Sequence, residues 1–173
     1  MATMDAVSTN LAATSARTQS TDIAATLEKA WHTYIVLLVL PFFVFLAALI
    51  YLTVASPAPD RVLAANWFIA SLLWVGIATP AAFFLRARWF KDYWAGGVVA
   101  PADYFRGMLA IWLTLEVGGV LSLLGCALSG KMVPCLLPAL AAFLLFLPFW
   151  PSGEAMVHAV GAEDDAELFK HPR

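Results

Sequence analysis

Charge is scarce in this chain. Only 13% of its 173 residues are Asp, Glu, Lys or Arg, and the formal net charge of -2 withholds the basic footprint with which nucleic-acid binders neutralise phosphates. Nucleic acid is not an expected partner. Cysteine is nearly missing: Cys126 and Cys135 are too few for a disulfide framework or a cysteine-rich zinc site and allow one bridge at most. No H-E-x-x-H, G-x-S-x-G or phosphate-binding glycine loop occurs, and the carboxylates are scattered rather than spaced as metal ligands. His32, His158 and His171 fall outside the apolar runs, so no pair stands ready to ligate a haem iron axially. The expectation is no enzyme, no metal and no cofactor. A lipid-acting enzyme built on Glu154, His158 or the aromatic loop described below would need a nucleophile and a base ordered against each other, and nothing in the sequence orders them. MATMDAVSTN lacks a positive n-region, which argues against a cleaved signal, and neither an M-G start nor a C-a-a-X ending points to a lipid anchor.

What the chain does have is apolar length. Hydrophobic residues make up 62% of it and its mean hydropathy is +0.80, a composition that suits lipid as solvent better than water. Four runs are long enough for a hydrocarbon layer of roughly 30 Å: 34-55, 66-85, 108-128 and 133-150. The expected fold is an all-α integral membrane bundle of four transmembrane helices. A disordered tail over 1-20, rich in Ala, Ser and Thr, is expected to precede an interfacial amphipathic helix over 21-33, where Ile23, Leu27, Trp31 and Tyr34 recur at helical spacing. An acidic cytoplasmic tail over 151-173, with Glu163, Asp164, Asp165 and Glu167, closes the chain as a solvated end or a docking peptide for a basic partner.

The punctuation agrees with the spans. SPAPD stops the first, Arg86 and Arg88 stop the second, and a Ser-Gly-Lys turn at 129-131 folds the third and fourth into a hairpin. Pro80 in the second span, and Pro134, Pro138 and Pro148 in the fourth, predict bent or irregular helices whose freed carbonyls find other partners. Arg17, Lys29, Arg86, Arg88, Lys91, Arg106, Lys170 and Arg173 fall on one side of the spans and only Arg61 and Lys131 on the other. By the positive-inside rule both termini and the second loop face the cytoplasm, as in a bacterial inner membrane. That loop interleaves its basic residues with aromatics, as an elbow in the headgroup layer or a platform for a partner subunit or anionic lipid. Trp31, Trp67, Trp89, Trp94, Tyr104 and Trp150 are the expected interfacial anchors.

Glu116 is the only ionisable residue inside any proposed span. It lies about 12 Å along the helix from Met108, near the bilayer midplane, where a carboxylate must be protonated, paired or turned to a polar cavity. Two readings stand: a neutral acid hydrogen-bonded to a neighbouring helix, or a proton or cation site. At 100° per residue Gly118, Ser122, Gly125 and Ser129 form a small-residue packing stripe, expected to face Cys135, Ala139 and Ala142 of the fourth span. Glu116 falls on nearly the opposite side with Trp112, Gly119 and Leu123, toward spans one and two or another subunit. Cys126 and Cys135 flank the hairpin turn, bridged or serving as small fillers.

The segment from Glu116 to Trp150, a carboxylate on a glycine-rich helix followed by a short hairpin, loosely resembles the proteolipid rings of rotary ATPases. There the carboxylate usually sits in the hairpin's second helix; here it is in the first and two more spans precede it, so the chain is not assigned to them. The expected role is a non-catalytic subunit or assembly factor of a membrane complex, with the lipid bilayer and a membrane-protein partner or a second copy as its contacts. The alternative is a proton or cation pathway through Glu116.

Overall fold

The structure, a computed structural model, describes the backbone of residues 2-157 and the side chains of 21-157. Helix α1 (Ala2–Ala55) carries no charge from Tyr34 onward and ends where Ser56 turns to φ 43° ahead of Pro57 and Pro59. Helix α2 (Arg61–Trp89) opens on Asp60, whose Oδ1 accepts hydrogen bonds from the Val62 and Leu63 N–H groups at 2.9 Å, a cap of about 1 kcal/mol. Arg86 and Arg88 in its last turn complement the helix dipole. A single turn, α3 (Lys91–Trp94), leads to α4 (Pro101–Ser129), which starts on a proline, where the missing N–H costs nothing, and ends on left-handed Gly130 at φ 66°. Helix α5 (Leu136–Phe146) passes through a 3-10 turn at Leu147–Phe149 to the short α6 (Glu154–Val157). The fourth run is thus irregular at both its proline-bearing ends, as its sequence predicts.

Among the described residues there is no strand, and four helical stretches are long and apolar enough to cross a membrane: Thr21–Ala55, Arg61–Trp89, Pro101–Ser129 and Leu136–Val157. Helix α4 is the hub. It packs against α1, α2 and α5, whereas α1 and α2 scarcely meet. The two ends of the bundle differ in charge. At one end the SPAPD loop closes over the α4–α5 turn: the Asp60 N–H donates to the Ser129 carbonyl at 3.0 Å, and a side chain on Gly130 would meet the Pro57 and Ala58 carbonyls at 3.1 and 3.2 Å. Arg61 and Lys131 lie here. Lys29, Arg86, Arg88, Lys91 and Arg106 lie at the other end, where Lys29 Nζ rides 4.4 Å above the Phe105 ring.

Two boundaries differ from the sequence reading. Residues 21-33 are not a separate surface helix; they continue into the first span without a break, because no glycine or proline interrupts that stretch and Ala30 and Tyr34 are buried in the core with Leu27 packed against it. The tail expected over 1-20 runs as the first turns of the same helix, and its side chains lie outside the described residues. The solvated end does not begin at Pro151. Pro151, Gly153, Ala155 and Met156 are buried because the segment folds back under the bundle: the Ala155 carbonyl accepts from the Val99 N–H at 2.8 Å, and the Gly153 N–H donates to Tyr104 Oη at 3.0 Å. The acidic cluster and His158 and His171 lie outside the described residues.

Candidate functional site

The small-residue stripe of α4 divides between two neighbours: its glycines, Gly118 and Gly125, meet α2, whereas Ser122 and Ser129 meet Cys135 of the fourth run. Three glycines of α4 lie under three tryptophans of α2. A Cβ on Gly107 would sit 2.9 Å from Trp89 Cβ, one on Gly118 2.8 Å from Trp74 Cδ1, and one on Gly125 2.8 Å from Trp67 Cβ. Close approach of the two backbones is bought by the missing side chains, and it lets Trp74 Nε1 reach across to donate to the Thr114 carbonyl at 3.2 Å. Ser122 turns to the fourth run, its Oγ donating to the Cys135 carbonyl, and Ser129 hydrogen-bonds with the Cys135 side chain. Ser129 is buried at the hairpin turn, its carbonyl holding Asp60. The physical reason for the difference is bulk: flat indoles need a flat surface, whereas Ala139 and Ala142 of α5 are small themselves and sit against Gly119, whose Cβ would be 3.6 Å from Ala142 Cβ.

Glu116 therefore looks toward α1 and α5, not toward α2. It is 8% exposed and lines a void of about 10 Å³ with Leu38, Pro41, Ala142, Phe143 and Phe146, large enough for one water at most. Its Oε1 is fully buried and has no hydrogen-bond partner among the described residues. Pro41, which lines this void from α1, lacks an N–H and leaves the carbonyl of Leu37 without its usual intrahelical donor. A carboxyl group and a helix proline meet in an otherwise apolar setting.

The basic end holds a larger cavity, about 210 Å³, whose walls include Arg86, Tyr93, Trp94, Phe149, Trp150 and Glu154. Tyr104, expected as an interfacial anchor, instead lies 3% exposed in its wall, packed edge-on against Phe90 at 5.6 Å and committed to Gly153. Trp67 is also no simple anchor, being half-buried on Gly125. Trp31, Trp89, Trp94 and Trp150 do reach the surface. Beside the cavity Trp112 is fully buried and its Nε1 donates to the Phe149 carbonyl at 2.7 Å, while Tyr34 packs between Trp112 and Phe146 at 5.6 and 5.1 Å. Such aromatic pairs add about 0.5–1.5 kcal/mol each beyond their burial.

Cys126 and Cys135 are free, buried thiols. Cys126 Sγ is 3.3 Å from the Met132 carbonyl and Cys135 Sγ 3.7 Å from the Ala64 carbonyl. The Gly107, Gly118, Gly125 and tryptophan seam is the feature that sequence reasoning missed. Its signal was present: Trp67 and Trp74 are seven residues apart, as are Gly118 and Gly125, which is the match two antiparallel helices require. No family model, no curated protein and no solved structure matches this chain.

Proposed function

We propose that this chain is an integral membrane protein that serves as a non-catalytic subunit or assembly factor of a membrane complex. The observation that carries the membrane reading is an inverted relation between apolarity and burial. The most apolar of the four helices, Thr21–Ala55, has 6% of its most apolar stretch buried, whereas Pro101–Ser129, less apolar, has 56%. In water that ordering would expose a patch far beyond what a monomer tolerates; in lipid it is the expected one. The charge difference between the two ends supports a cytoplasmic placement of the Arg86–Arg106 side, and with it both termini, in a bacterial inner membrane.

The contact role is supported by where the side-chain hydrogen bonds between segments go. Trp74 Nε1, Trp112 Nε1, Ser122 Oγ and Tyr104 Oη each fasten one segment of the chain to another, which is the work of a scaffold. Helix α1 touches the bundle along one side and leaves Val36, Phe42, Phe43, Ile50 and Val54 outward, the face offered to lipid and to a partner or second copy. The test is to extract the tagged chain from its native membrane in mild detergent and determine the mass of what purifies. A stoichiometric second subunit, lost when Phe42→Ala and Phe43→Ala are combined but kept in Leu72→Ala on the outer side of α2, supports the role. A monomer whose removal leaves every membrane complex intact contradicts it.

A second reading, a proton or cation site at Glu116, is favoured by the unpartnered Oε1 beside Pro41. Carbodiimide treatment of intact membranes addresses it: Glu116 should be modified and transport lost, and full function of Glu116→Gln would remove the idea.

A further inference from the structure

We propose that the cavity at the basic end binds the headgroup of an amino-phospholipid, with the phosphate on Arg86 and the primary ammonium on Glu154. Arg86 stands in the last turn of α2 and Glu154 opens α6, so the two helices bring opposite charges to one cavity. They do not neutralise each other: among the described residues the one ion pair within 4.0 Å joins Arg106 to Asp103. The forked Arg86 guanidinium, 6.0 Å from the centroid of the Phe149 ring in the wall, and a lining glutamate with no cation within 4.0 Å among the described residues match a ligand that carries both signs. The fork suits phosphate oxygens, and the carboxylate suits an ammonium that has N–H groups to donate.

The remaining walls fit the same ligand. Tyr93, Trp94 and Trp150 supply aromatic faces for a cation, and exposed indoles at a bundle end belong at headgroup depth. The volume of about 210 Å³ falls below the roughly 300–1,000 Å³ of sites that engulf a whole drug-sized ligand, so a headgroup enters and its chains remain outside. An apolar exit exists. Phe83 is 56% exposed and lies 5.6 Å from the Phe149 ring of the cavity wall, and Leu147 is exposed next to the wall residue Pro148. Acyl chains leaving past Phe83 and Leu147 run along the outer surface of the bundle. This site rests on the membrane reading above.

The experiment uses the purified full chain, delipidated in detergent, with thermal unfolding followed after addition of phosphatidylethanolamine, phosphatidylglycerol or soluble phosphoethanolamine. Phosphatidylethanolamine in large excess over its dissociation constant should raise the midpoint by about 4 °C, and phosphatidylglycerol, which lacks the ammonium, by less than half as much. Glu154→Gln should bring the two lipids level, and Arg86→Gln should abolish both shifts. Arg86→Lys, which keeps the charge and loses the fork, should retain a reduced shift, and it stands in if Arg86→Gln does not fold. Equal shifts from the two lipids on the unaltered chain, or a preference that survives Glu154→Gln, overturns the site. A full shift from soluble phosphoethanolamine overturns the lipid assignment. Alkaline carbonate extraction separates the two failures: a chain released from membranes sinks the membrane reading, whereas a retained chain indifferent to headgroup sinks this site alone.

Discussion

Helices α1 and α4 invert the rule that governs proteins in water. Helix α1 presents Val36, Phe42, Phe43 and Val54 to the outside, while α4, with its glycines, Ser122 and Glu116, occupies the middle of the bundle. The comparison teaches that where lipid is the solvent, apolar side chains carry no drive to hide. What then selects the centre is close backbone approach and the need to satisfy polar groups, and α4 has the residues for both. Helix α1 has neither glycine nor charge after Tyr34 and is left at the edge, held by Tyr34, Ala30 and Leu27 at the basic end.

That contrast can be broken from the α4 side with large effects. Trp112→Ala removes a fully buried indole and its bond to the Phe149 carbonyl, and is expected to cost about 3–5 kcal/mol in reversible unfolding in micelles. Gly125→Val drives a branched side chain into Trp67 and should cost about 1–3 kcal/mol by overpacking, or more if α2 is expelled. Tyr104→Phe leaves the Gly153 N–H without its acceptor; about 1–2 kcal/mol is expected, together with faster proteolytic cutting within 151-157. The same measurements sharpen the contrast from the other side. Phe42→Leu on α1 should change stability by less than about 0.5 kcal/mol, and a loss as large as that of Trp112→Ala would mean that this face is covered.

The four helices long and apolar enough to cross a membrane and the asymmetry of charge were legible in the sequence because both depend on composition over twenty or so residues. The hairpin turn was legible too, since α4 ends inside the Ser-Gly-Lys stretch that predicts a turn, on a left-handed Gly130. Which face of α4 met which neighbour was not. Helical periodicity groups Gly118, Ser122, Gly125 and Ser129 on one side but carries no information about whether tryptophans or alanines come to meet them. The docked segment at 151-157 escaped for a related reason: its hold on the bundle is made by one tyrosine hydroxyl and one backbone pair, long-range contacts that leave no local pattern. Glu116 stood out as the one charged residue in the four proposed apolar runs, yet its surroundings, Pro41 and Phe146 among them, depended on the same choice of face.

The most direct test of the account is spin-label accessibility of the chain in lipid bilayers, with single cysteines placed in a background lacking Cys126 and Cys135. Labels at Val36, Phe43, Ile50 and Val54 of α1 should collide freely with oxygen dissolved in the hydrocarbon and hardly at all with a water-borne nickel chelate, while labels at Ile111 and Leu115 of α4 should be shielded from both. Free collision of the nickel chelate with the α1 labels, or equal shielding of the two helices, would contradict a lipid-facing α1 around a central α4.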